Sequence, residues 1–119
     1  MKHIDQITNA IGIKNVYTEE SVWRYRLKSP IEQGAQIDIL IDRADKCINL
    51  CEIKFASDTF EITKTYAKDL DNKLKVFQAQ TKTKKTLFTT MVTTYGVRNA
   101  KSYPGLIQND VNMDVLFQN

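Results

Sequence analysis

An α/β domain with a mixed β-sheet flanked by helices, in α-β-β-β-α-β-β order, is the fold class predicted by this 119-residue sequence. Three observations predict it. Ile37, Ile39 and Ile41 alternate with Gln36, Asp38, Leu40 and Asp42, the period of two that marks a strand with one buried face. Tyr66, Ala67, Leu70, Leu74 and Phe77 recur at helical spacing along a lysine-rich segment. Thr86 to Tyr95 is then dense in Thr, Val, Phe and Tyr, the residues that favour a pleated, half-buried surface.

Each element follows in order. His3 to Ile13 carries Ile4, Ile7, Ala10 and Ile11 at i, i+3, i+4 spacing and reads as a short helix closed by Gly12. Glu20 to Lys28, around Val22, Trp23, Tyr25 and Leu27, reads as a strand ended by Ser29-Pro30, with Trp23 and Tyr25 as core and rim residues. Gly34 to Arg43 and Cys47 to Phe55 are two β-rich runs separated by Ala44-Asp45-Lys46, so they form an antiparallel hairpin. Thr63 is the N-cap of a helix running to about Gln80, with Lys64, Lys68 and Lys75 away from its apolar stripe. Thr86 to Tyr95 is a strand stopped by Gly96, and a loop through Tyr103-Pro104-Gly105 leads to a last strand at 111–117.

Composition narrows the classes of function. With 42% apolar and 26% charged residues, 2 Pro and 4 Gly, the chain suits one compact domain over residues 1–119 and excludes disordered, collagenous and low-complexity readings. No apolar run approaches the roughly 20 residues of a bilayer span. The opening Met1-Lys2-His3-Ile4-Asp5 lacks the apolar core of a secretory signal, so a cytoplasmic protein without a membrane partner is expected. No phosphate-binding G-x-x-x-x-G-K-[S/T] loop occurs. Cys47 and Cys51 are too few for a zinc site and read as small buried apolar residues, while His3 reads as a surface or packing residue.

The net charge of +3 is modest, but its distribution is uneven. Between Lys64 and Lys85 seven lysines face only Asp69 and Asp71, a local +5 that leaves −2 for the remainder. Such a segment is a solvated helix face unless it flanks a groove or a reactive site.

The hairpin supplies that candidate. A three-residue turn sets Arg43 opposite Cys47, Ile39 opposite Cys51 and Ile37 opposite Ile53, giving one apolar face. On the other face Asp38 stands opposite Glu52, and Gln36 opposite Lys54. Opposed side chains have Cβ atoms roughly 4.5–5.5 Å apart, and like charges there destabilise a sheet. Either one carboxyl is protonated or a cation sits between them, and a hard divalent ion such as Mg²⁺ suits carboxylate oxygens. Lys54, two residues beyond Glu52, is able to steady an attacking water or the charge growing on a phosphorus centre. Leu40, Leu50 and Ile48 on the same face half cover the pair and favour a site over a solvated surface.

Asp38, followed by Glu52-Ile53-Lys54 on the next strand, resembles the D…(D/E)-x-K motif of the PD-(D/E)XK nuclease superfamily, and the element order resembles its restriction-endonuclease-like core. Over nearly the whole chain, the sequence looks like the C-terminal domain of the bacterial AAA-type ATPases common in Bacteroidales. The similar segments are 3–7, 34–43, Cys51-Glu52-Ile53-Lys54-Phe55, Thr93-Thr94-Tyr95-Gly96 and Leu116-Phe117. The resemblance implies that Asp38 and Glu52 are ligands of Mg²⁺ or Mn²⁺ and that Lys54 is the catalytic lysine of a nucleic-acid phosphodiesterase. The Ile53 carbonyl would complete the metal's protein ligands. Gln36, Lys64, Lys68 and Lys73 are the residues expected to contact nucleic acid. Family members often carry an acid on the first helix; Asp5 falls late for that role, so the chain reads as a domain excised from a longer ATPase chain. The expected partners are DNA or other nucleic acid and the N-terminal ATPase module. The contrasting expectation is a non-catalytic module on the same fold that grips DNA or docks on its ATPase.

Overall fold

The structure is a computed structural model that describes residues 4–25 and 35–114. Its main sheet has five strands: β1 (Thr18–Tyr25), β2 (Ala35–Arg43), β3 (Cys47–Lys54), β5 (Thr86–Thr93) and β7 (Asn109–Asn112), in the spatial order β1-β2-β3-β5-β7. The first three are antiparallel neighbours, whereas β5 runs parallel to both β3 and β7. Helix α1 (Ile4–Ala10) precedes the sheet and α2 (Lys64–Thr81) links β3 to β5. The α/β class and the mixed sheet are those expected from sequence. No described helix is long and apolar enough to cross a membrane.

Local chemistry sets the element ends. Gly12, at φ +80°, follows α1 in the left-handed region that side chains avoid. Thr63 is extended, and its hydroxyl oxygen accepts the Tyr66 N–H at 3.1 Å, capping α2 as expected. Lys82 ends the helix in a left-handed conformation, its N–H donated to the Gln78 carbonyl at 2.8 Å. The hairpin turn has the three residues expected, with Lys46 at φ +68°. Arg43 braces it by donating Nε and Nη2 to the two carboxylate oxygens of Asp45, at 2.9 and 2.6 Å. That hydrogen-bonded guanidinium also holds the Asp45 carboxyl below its usual range.

The turn fixes the register. Ile39 pairs with Cys51, Leu40 with Leu50, Ile41 with Asn49 and Asp42 with Ile48, as the hydrophobic pattern required. Beyond Ile39 the pattern is corrected. Between β1 and β2 the pairs Ser21–Leu40 and Trp23–Ile37 leave Val22 alone opposite Asp38 and Ile39. This one-residue bulge in β2 turns Ile37 to the sheet face opposite Ile39 and Ile41. Ile39 and Ile41 join Ile4, Ile7, Ile13, Cys51, Val92 and Val111 beneath α1. Ile37 instead joins Ile48, Leu50 and Phe77 beneath α2, where Trp23 meets Phe77 edge-on with centroids 5.0 Å apart.

Two further differences have local causes. Residues β4 (Phe60–Glu61) and β6 (Val97–Arg98) form a small parallel ladder, each strand too short to carry a period. The last strand begins at Asn109 rather than Val111, because its backbone pairs with β5 from Thr90 onward, and there the Asn109 carboxamide oxygen also accepts from buried Asn49 and Thr90. The expected turn at Ser29-Pro30 and the end of the last strand, 115–117, lie outside the described residues.

Candidate functional site

Glu52 and Lys54 sit two residues apart on β3, so both side chains leave the sheet on the side of α2. Glu52 is 2% exposed, an unusual depth for a carboxylate. One of its oxygens forms an ion pair with the ammonium of Lys73 on α2. The other, Oε2, is buried with no hydrogen-bond partner among the described residues. The Lys54 ammonium lies 5.3 Å from the centre of the Tyr66 ring, a cation–π contact with the first turn of α2.

Asp38 reaches the same neighbourhood by a different route from the one expected. The β2–β3 ladder stops at Ile39–Cys51, and the bulge re-aims Asp38 so that Oδ2 accepts the Ile53 N–H at 2.9 Å. Asp38 therefore holds the β3 backbone between Glu52 and Lys54 rather than standing as a plain cross-strand partner of Glu52. The Ile53 side chain packs toward the α1 core.

Tyr66, which the sequence marks only as a member of the apolar stripe of α2, closes the cluster. Its hydroxyl donates to Met91 Sδ at 3.7 Å and its ring is edge-on to Phe60, with centroids 4.9 Å apart. Burial pushes the Tyr66 hydroxyl pKa well above its ordinary value, and the charges of Glu52 and then Asp38 push it further. The same two carboxylates add to the effect of burial on Cys51, whose thiol is pushed up to about 12. Both carboxylates thus act on the same neighbours.

No family model, curated protein or solved structure matches this chain. The chemistry open to the site follows from its own residues.

The remaining sequence candidates divide into two places. At roughly 100° per helical residue, Lys64, Lys68 and Lys75 fall within about 40° of one another, whereas Lys73 lies about 180° from Lys64 and about 20° from Tyr66. Lys73 accordingly reaches Glu52, and Lys64 and Lys68 do not approach it: they are exposed and line an open groove with Ala67, Asp71, Tyr103 and Leu106. Gln36 is exposed and paired with Arg24 of β1. The bulge puts it on the face opposite Ile37, away from Lys54, which corrects the expected Gln36–Lys54 pairing.

The partnership of Glu52 with Lys73 was open to discovery in the sequence. Lys73 stands seven residues after Tyr66 and three after Leu70, inside the apolar stripe, where a charged residue calls for a buried partner.

Proposed function

We propose that this chain is a nuclease-like domain that hydrolyses nucleic-acid phosphodiesters with Mg²⁺ or Mn²⁺. One observation carries it: the Glu52 carboxylate is buried beside a strand irregularity and keeps an oxygen without a partner among the described residues. An orphaned buried acceptor is costly, and a small hard cation is the partner its chemistry suits. The antiparallel β1-β2-β3 unit, followed through α2 by the parallel strand β5, supports a restriction-endonuclease-like core for this reading.

Asp38, Glu52 and the Ile53 carbonyl would hold the ion. Among the described residues no three His, Cys, Asp or Glu side chains form one metal-holding group, so water and phosphate oxygens would complete its shell. When bound, the ion supplies an acidified water and charge compensation at the phosphate. Lys54, braced on Tyr66, would orient the attacking water or a phosphate oxygen. Asp38 fixes the Ile53 peptide and with it the spacing of Glu52 and Lys54. Lys64 and Lys68 would contribute salt-dependent affinity for the phosphate backbone, while Gln36, on the opposite face of the sheet, stands outside that contact.

Titration with Mn²⁺ tests the reading. The protein is expected to bind one ion, and Glu52→Gln to lose at least about 100-fold in affinity, beyond the usual cost of outer-shell changes. Absence of binding to the unaltered protein would overturn the proposal.

A second reading is favoured by the Glu52–Lys73 ion pair, which already neutralises the carboxylate. Under it the chain is a non-catalytic module that grips DNA or docks on an AAA-type ATPase, and metal changes neither its melting temperature nor its DNA affinity.

A further inference from the structure

We infer that Lys73 is a built-in counter-ion of the Glu52 site, which a divalent cation must displace in order to bind. The inference rests on the metal-dependent reading above and adds a gate to it. Among the described residues, Lys73 is the cation within ion-pair distance of Glu52, while Lys54 is stationed over Tyr66. The two ends of the pair are unequally buried: the Glu52 side chain is 3% exposed and that of Lys73 26%. The lysine therefore enters from the solvent side of a deep carboxylate, and its long stem gives the ammonium a way out without unfolding of α2.

An ammonium and a divalent ion on the same carboxylate repel strongly at protein-like dielectric. Without metal, Lys73 offsets the burial of Glu52 and keeps the unliganded site folded. With metal, that role passes to the ion and Lys73 is released toward solvent, next to whatever phosphate the ion holds. Asp38 stays in place throughout, because its Oδ2 is held by the Ile53 N–H, which leaves Oδ1 to face the ion. Lys64 and Lys68, on the opposite side of α2, provide an internal reference.

Acylation of lysines in the unaltered protein, read by mass spectrometry with and without Mn²⁺, tests this together with calorimetry on two variants. Lys73 is expected to label slowly in the free protein and several-fold faster at saturating Mn²⁺, while Lys64 and Lys68 stay constant. Lys73→Gln is expected to bind Mn²⁺ at least about tenfold more tightly, since a unit charge about 4 Å from a divalent ion disfavours it by more than that even at the dielectric of water. Lys73→Arg, which keeps the charge and forks onto both oxygens, is expected to bind more weakly. Mn²⁺ binding with Lys73 labelling unchanged overturns the gate and leaves the metal-dependent reading standing. Absence of binding to the unaltered protein overturns both.

Discussion

Cys47 and Cys51 stand four residues apart on β3 and meet different surroundings. Cys47 is partly exposed, and its Sγ donates to the Asp45 carbonyl at 3.7 Å. Cys51 is fully buried beneath α1, and burial first, then the Glu52 charge, lifts its pKa to about 12 from an ordinary 9.0. A thiol of this kind is chemically silent, since the thiolate is the reactive species. At pH 8, an aromatic disulfide reagent is expected to modify one thiol in the native protein and two in denaturant; rapid modification of both in the native state would contradict this burial. The same shift carries a pH dependence. Below pH 9 the thiol is protonated folded or unfolded, but above it the unfolded chain releases a proton that the folded one retains. Stability therefore falls as pH rises from about 9 to about 12, and Tyr66, shifted in the same direction, adds to the fall from its ordinary 10.0 upward. Individual residues were legible in the sequence to differing degrees. Asp38, Glu52 and Lys54 stood out by type and spacing, but the sequence carried no sign of Tyr66, because a tyrosine on an apolar stripe looks like any core aromatic. Asn49 and Asn109 were equally silent. They satisfy one another across strands with Thr90, at 3.2 and 3.1 Å to the Asn109 oxygen, and such a bond has no local pattern.

Elements were more legible than their irregularities. The hairpin register followed from hydrophobic alternation, because a slip of one residue would exchange every side chain between core and solvent. The bulge at Asp38–Ile39 escaped the same reasoning: Ile37, Ile39 and Ile41 are all buried, so the sequence does not reveal that two different cores bury them. The limits of α2 were readable because its signals are local. Thr63 caps it through a single hydrogen bond at 3.1 Å, and that bond lies in an exposed turn where no other packing replaces it. Thr63→Ala is expected to cost about 1 kcal/mol, a few degrees in melting temperature. Amide exchange at Tyr66 should quicken, because its N–H loses its acceptor. A variant that melts with the unaltered protein and keeps the Tyr66 amide protected would show that the cap contributes nothing.

At the scale of the molecule, α2 separates two kinds of positive charge. One side of the helix meets the sheet and gives Lys73 to Glu52; the other faces solvent and gives Lys64 and Lys68 to the groove beside Tyr103 and Leu106. If the groove tracks a phosphate backbone, its contribution is long-range and screened, whereas the Glu52 site is short-range and buried. The two should therefore respond independently to substitution. Lys64→Glu with Lys68→Glu is expected to weaken DNA binding and to flatten the dependence of log affinity on log salt. On duplex the slope should fall by about 0.9 for each phosphate no longer neutralised, or about 1.8 for both lysines. Mn²⁺ affinity and melting temperature should change little, because both lysines are exposed and neither contacts the carboxylate cluster. An unchanged salt slope would remove the groove from nucleic-acid binding and return these lysines to the role of a solvated helix face. A matching loss of Mn²⁺ affinity would instead mean that charge on the outer side of α2 reaches the buried site, contrary to the division of labour that the helix geometry imposes.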